Sequence, residues 1–333
     1  MFGYSNQINI EMCLSIKTAL LAGFKFQLIG PKVIDSVIDK LHNKVFAPFT
    51  KWIAISAVIE KLPDDVLLIH SDSFDVFYQM DPNTFYNKYL DFLKKNNQYK
   101  NQVIFNSESN CWPYKRYSRM FRCLKYSGEK FYNLHAKNNL RLFFKDNSEI
   151  NAQGCLLQDN ISKEMKLKYN KYLNSGVSFG SVSNYKNVLS SFWHEVTNAP
   201  NGCMDDQGFM GWVYGNHLAN VTIDYYGHLV DHVLKQDFEF DNNNGMFRKN
   251  IMINNENDLL YPLLIHHSGD KTKYVYMVKR LSDWLQLNKN KTVNDSILYV
   301  NGIEKKYSDV CGIFKNEDVD NWDKKVQMAS GKL

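Results

Sequence analysis

From residue 10 to residue 106, apolar runs of strand length alternate with amphipathic runs of helix length, and this order leaves few folds open. IEMCLSIKTALLA (10–22) spaces its apolar positions three and four apart and stops before Gly23, which predicts a helix. FKFQLI follows as a strand closed by Gly30-Pro31. The same signals predict helices over 50–61 and, after Pro82, over 84–95, with strands over 66–70 and 102–106. Strands alternating with helices imply a parallel-type α/β sheet covered by helices. Beyond 107 the pattern loosens. NSESNCWPYKRY and KDNSEINAQGCLLQDN read as loops, and YLNSGVSFGSV reads as a turn entering a strand. Helices are expected again at 185–196 and 206–214, and strands near 221–225 and 262–266. The tail offers an amphipathic helix, KRLSDWLQL, and ILYVNGIEKKY, whose Asn-Gly between β-rich runs signals a hairpin. The division expected is a main domain over 1–275 and a C-terminal extension over 276–333 packing on it.

A chain of 333 residues, 44% hydrophobic, can bury a large core. Its formal net charge is +5, but no long Lys/Arg block is present, so nucleic acid is not an expected partner. Six cysteines show no C-x-x-C spacing, so neither a zinc ribbon nor a disulfide framework is suggested, and reduced thiols are expected. The first residues lack a basic stretch followed by an apolar core, and ALLAGFKFQLIG is short for a membrane span and carries Lys25. The expectation is a cytoplasmic protein with no membrane segment.

The chemistry gathers at VLLIHSDSFDVFY (66–78), an apolar strand followed by His70, Asp72 and Asp75. In an open α/β sheet, ligands bind beyond the carboxyl ends of strands. Two carboxylates three residues apart on a tight turn there can direct oxygens at one hard divalent cation, often one that also holds a diphosphate. The same residues also serve as ordinary turn and capping groups. His70-x-Asp72 also fits part of the two-histidine, one-carboxylate triad of iron oxygenases. Those enzymes use antiparallel jelly rolls, however, and here the motif closes a strand in a helix-alternating array. Three further stretches bear on the metal reading. MDDQGF puts Asp205 and Asp206 at a helix N-terminus, where they act on a ligand or merely cap. LLIHHSGDKTK puts His266 at a strand end, followed by Gly269, with Lys271 and Lys273 to neutralise phosphate. NSESNCWP and YLNSG supply Trp112 for stacking on a sugar face and Asn174 and Ser175 for hydroxyls.

Taken together and in this order, these motifs resemble the glycosyltransferase domain of the procollagen lysyl hydroxylase family over roughly residues 5–275. The family's DSYDV stands here as DSFDV, its SAESxCWP as NSESNCWP, its FLNSGGFIG as YLNSGVSFG, its DDQLF as DDQGF, and its IHGNG as IHHSG. The resemblance implies a GT-A fold: a mixed, mainly parallel central sheet flanked by helices, here with a short C-terminal helix and hairpin extension. It implies Mn2+ held by Asp72, Asp75 and His266; HHSGD departs from the family's HGNGP in adding a second imidazole, His267, to compete for the metal. Trp112, Asp205 and Asp206 would line the sugar side. Lys51 falls where the family has a donor-binding lysine, Asn174 and Ser175 would lie near donor sugar and acceptor, and Phe74 replaces a tyrosine beside the base.

The reaction so implied is transfer of a hexose, glucose before galactose, from UDP-glucose or UDP-galactose to hydroxylysine or galactosyl-hydroxylysine of a collagen-like acceptor. A homodimer is one candidate assembly. The tail after 276 contains no histidine, so glycosylation without hydroxylation is expected. Two other readings stand beside it: an iron and 2-oxoglutarate oxygenase built on His70 and Asp72, and a catalytically silent sugar- or collagen-binding module.

Overall fold

The computed structural model describes residues 1–4, 8–29, 50–111, 147–165, 171–198, 206–232, 238–241, 243–244, 246–253, 256–267, 284 and 292–312. The chain divides into two compact units, each assembled from separated stretches of sequence. The first comprises Met1–Leu28, Ser71–Lys95 and Tyr226–Leu333, and the second Ile29–His70 and Asn96–Tyr225.

In the first unit, strands β1 (Phe2–Tyr4), β2 (Gln27–Ile29), β13 (Ile297–Val300) and β14 (Ile303–Lys306) lie in the order β14-β13-β2-β1. Helix α1 (Ile10–Leu21) begins at Asn9, whose side chain accepts a hydrogen bond from the Met12 N–H. It ends in a Schellman motif, with Phe24 N–H bonded to Ala19 C=O and Gly23 N–H to Leu20 C=O. Gly23 sits at φ 90°, a conformation that favours glycine, which is why the apolar period stops there. Two polar residues on the buried face of α1 serve the short strand β4 (Val76–Tyr78): Ser15 Oγ donates to Val76 C=O at 2.6 Å, and Thr18 Oγ1 accepts from Tyr78 N–H at 3.2 Å. These bonds meet backbone demands that burial would otherwise make costly.

β4 belongs to a three-stranded sheet in the order β4-β12-β8, with β8 at Val230–His232 and β12 at Leu264–His266. β12 runs antiparallel to β4 and parallel to β8. Another three-stranded sheet, antiparallel throughout, is made of β9 (Phe238–Asp241), β10 (Met246–Ile253) and β11 (Glu256–Leu260) and was not foreseen in the sequence. The expected Asn-Gly hairpin is present: β13 and β14 pair antiparallel about Asn301 and Gly302, at φ 52° and 81°. β13 also pairs in parallel with β2, and helix α7 (Tyr307–Cys311) follows. Helix α3 (Pro82–Lys95) completes the unit's described elements. The tail helix expected over KRLSDWLQL lies outside the described residues, apart from Trp284.

In the second unit, Leu67–His70 of β3 (Leu67–Asp72, whose last two residues belong to the first unit), β5 (Val103–Glu108), β6 (Tyr172–Ser181) and β7 (Val221–Asp224) lie in the order β3-β6-β5-β7. Its helices are α2 (Thr50–Ile59), α4 (Asn147–Glu164), α5 (Val182–Asn198) and α6 (Asp206–Gly215). Trp52 of α2, Phe105 of β5 and Phe192 of α5 form the aromatic centre of the core, with Phe209 of α6 against Phe192. α6 comes very close to α4: a methyl group at Gly211 would stand 2.5 Å from the Gln158 side chain.

The α/β class is found, and its sheets mix parallel and antiparallel pairs. β5–β7, β12–β8 and β13–β2 run parallel, while β5–β6, β13–β14, β12–β4, β10–β9 and β10–β11 run antiparallel. Short connections account for three of the antiparallel pairs: hairpins join β9 to β10, β10 to β11 and β13 to β14, and a short link can only return a strand antiparallel. The reduced-thiol expectation is corrected. Cys13 is bonded to Cys311 and Cys111 to Cys155, with Cα atoms 5.7 and 5.8 Å apart. The partners are 298 and 44 residues apart in the chain, so no local spacing announces them. No helix among the described residues is long and apolar enough to cross a membrane.

Candidate metal centre and a buried polar network

Asp72 is the last residue of β3, and Asp75 immediately precedes β4, so the three-residue bend between these strands carries one carboxylate at each end. The bend is fixed from below. Ser71 and Ser73 are fully buried, Tyr78 Oη donates to Ser71 Oγ at 2.5 Å, and a methyl group on Gly3 would lie 2.5 Å from Ser73 Oγ. Burial raises the Tyr78 phenol well above its ordinary range, so it remains a donor.

Register brings in the imidazole. β12 pairs with β4 so that His266 faces Val76, and the ladder runs one step further through a 2.8 Å bond from His267 N–H to Asp75 C=O. His266 Nε2 then lies 3.4 Å from Asp75 Oδ1. One ligand atom from each of Asp72, Asp75 and His266 falls within 4.8 Å of the others. His266 is buried, while the Asp75 side chain keeps 25% of its exposure. Asp75 Oδ1 itself is buried and accepts no hydrogen bond among the described residues. Two hard carboxylates and an imidazole form a donor set that suits Mn2+ and similar divalent ions, and the orphaned oxygen is what such an ion would satisfy.

On the far side of β12, His232 of β8 faces His266 in register, with ring centroids 5.5 Å apart. Burial first, and then the proximity of His266, His267 and Lys249, pushes the His232 imidazole well below its usual range, so it stays neutral. Asp231 beside it is fully buried and paired with Lys249 at 2.9 Å.

The second unit carries a separate polar network. β6 breaks register against β5: Phe105 pairs with Ser178 and the next residue, Asn106, with Asn174, so residues 175–177 bulge from the ladder. Of YLNSGVSFGSV, Tyr172–Ser181 is strand and Val182 opens α5, and the turn expected within it is this bulge. Asn174 Oδ1 accepts from Gly176 N–H at 2.8 Å, shaping the bulge. Ser175 is thereby aimed at the start of α6, where Asp206 Oδ2 accepts from Ser175 Oγ at 2.9 Å and Trp52 Nε1 at 3.2 Å and pairs with Lys51 Nζ at 2.7 Å. Lys51 also donates to Ser175 C=O and Oγ. Glu108, at the end of β5, accepts from Gln207 Nε2 and from Asn174 Nδ2.

The residues singled out in the sequence thus fall into three groups. Asp72, Asp75 and His266 meet in the first unit, with His267 next in the chain and Phe74 half-buried in the bend between the aspartates. Lys51, Asn174, Ser175 and Asp206 meet in the second. Trp112, Asp205, Gly269, Lys271 and Lys273 lie outside the described residues. His70 points into the core of the second unit, its ring against Trp52 and its Nδ1 3.5 Å from Ser178 Oγ. Sequence reading overlooked Glu108, Gln207 and Trp52, although each sits beside or within a motif it used, and it overlooked His232, which no motif marks. Set against protein-family models and against curated proteins, the chain matches none.

Proposed function

We propose that the chain is a Mn2+-dependent glycosyltransferase of GT-A type that moves a hexose, glucose before galactose, from a UDP-sugar to hydroxylysine or galactosyl-hydroxylysine of a collagen-like acceptor. The observation that carries this reading is the convergence of Asp72, Asp75 and His266 around a buried carboxylate oxygen that accepts no hydrogen bond among the described residues. When bound, Mn2+ supplies positive charge to a diphosphate, stabilising the leaving group as the anomeric C–O bond breaks. The chain's own part is to hold its ligands ready. The serine-lined bend sets the spacing of the two aspartates, and the β12 register sets the imidazole, so little reorganisation is needed on binding.

Asp206 fits a different task. Its Oδ2 is already engaged by an ammonium, an indole N–H and a hydroxyl, so it suits holding the start of α6 against the bulge of β6 better than proton abstraction. The expected cytoplasmic setting gives way in this reading to an oxidising compartment, where disulfides persist.

The test is release of UDP from UDP-glucose. The wild type is expected to release UDP only with Mn2+, and Asp75→Ala to lose at least about a hundredfold in rate with an unchanged circular dichroism spectrum. Binding of UDP-glucose with neither transfer nor hydrolysis would replace the enzyme by a silent binding module. Activity that survives Asp75→Ala would overturn the ligand assignment.

A further inference from the structure

We propose that His232 is a positioning residue of the metal centre: its imidazole packs edge-on against His266 and fixes the ring orientation from which His266 Nε2 faces Asp75. This inference rests on the metal-binding reading of Asp72, Asp75 and His266.

A histidine's outer torsion is soft and broad, so a ligating imidazole needs a neighbour to define its plane. His266 stands in the middle strand of its sheet. On one side Val76 of β4 is its register partner, and on the other it is His232 of β8. The two imidazoles meet at 74°, with centroids 5.5 Å apart, an edge-to-face arrangement in which each ring restricts rotation of the other. Both are withdrawn from water, at 4% and 1% exposure, so solvent does not fill in for a lost ring.

His232 is itself well anchored. Its N–H donates to Asp231 Oδ1 at 2.7 Å, and Asp231 is tied through its other oxygen to Lys249 Nζ at 2.9 Å. β8 is thereby fastened to β10, and the His232 ring is carried on a fixed backbone. His232 is not one of the three residues whose ligand atoms lie within 4.8 Å of one another, which assigns it to support and not to coordination.

The experiment is titration of the full chain with Mn2+ alone, for wild type, His232→Ala and His232→Phe, followed by electron paramagnetic resonance. Loss of the ring is expected to weaken Mn2+ binding by about tenfold, as for other groups that orient a metal ligand. Phenylalanine restores an aromatic edge and is expected to bring affinity back to within about twofold of wild type. Wild-type affinity in His232→Ala overturns the inference, and so does a phenylalanine variant as weak as the alanine one. Pulsed measurements on the Mn2+-loaded wild type and His232→Phe decide independently of whether His232→Ala folds: the same imidazole nitrogen coupling is expected in both, and a coupling that disappears in His232→Phe would make His232 a ligand and sink the positioning role. Failure of the wild type to take up Mn2+ would instead refute the metal reading, and this inference with it.

Discussion

Two carboxylate clusters, one in each unit, are neutralised in opposite ways. In the second unit, Asp206 is saturated from within: Lys51 supplies the countercharge, and Trp52 and Ser175 supply donors to the same oxygen. In the first, Asp72 and Asp75 bring two negative groups beside one imidazole, and Asp75 Oδ1 accepts no hydrogen bond among the described residues. Burying a charge costs several kcal/mol unless a partner offsets it. A closed network therefore points to rigidity already in place, whereas an acidic cluster with an orphaned oxygen points to a cation from outside. The contrast separates a framework from a site more sharply than residue type does, since both places are rich in aspartate.

The largest expected effect comes from opening the closed network. Lys51→Met keeps most of the side chain's volume but leaves Asp206 buried without its countercharge, and should destabilise the protein by about 3–5 kcal/mol in urea unfolding. Adding Asp206→Leu should recover much of that loss, because removing both members of a buried pair costs far less than removing one. If Lys51→Met proves neutral, the description of the network as self-neutralised is wrong.

The open cluster should respond to metal instead. At a Mn2+ concentration about a hundred times the dissociation constant, wild type should gain about 2.7 kcal/mol of stability, and Asp75→Asn should gain little or nothing. Without metal the sign reverses. Relieving the repulsion between Asp72 and Asp75 should leave Asp75→Asn as stable as wild type or up to about 1 kcal/mol more so. A clear loss of metal-free stability in Asp75→Asn would mean the cluster is closed by the protein after all.

How much of this was legible in the sequence follows from the range of the interactions. α1, α2, α3, β3 and β5 were readable because period and capping are local: Gly23 marks a helix end, and Asn301-Gly302 marks a hairpin. Asp72 and Asp75 were readable because the strand end and the bend are local too. His266 depended on the motif resemblance, since 191 residues separate it from Asp75 and only the β4–β12 register joins them. What escaped was set by long-range register alone. The bulge at 175–177 exists because β5 and β6 lose step, and His232 meets His266 only through parallel pairing of β8 with β12. The disulfides escaped for the same reason, each joining segments that only folding brings together.

A third carboxylate supplies the smallest and finest test of the comparison. Asp241, on β9, is held by neutral donors and an arginine. It accepts from Tyr261 Oη at 2.7 Å, Asn244 Nδ2 at 2.8 Å and Asn243 N–H at 3.0 Å, with Arg248 3.5 Å away. These donors, led by Tyr261 and then Asn244, favour the charged form and lower its pKa to about 2. Because the folded-state value lies below the unfolded one, the contribution is complete above about pH 5 and fades as pH falls through 4 toward 2. Asp241→Asn should thus reduce thermal stability slightly at pH 7 and flatten its decline on acidification. Asp75→Asn should leave the Asp241 part of that acid limb in place, because Tyr261, Asn244 and Asn243 are unchanged in it. Parallel acid profiles for wild type and Asp241→Asn would show that satisfaction by these donors counts for nothing here, and the distinction between closed and open carboxylates would then rest on the lysine pairs of Asp206 and Asp231.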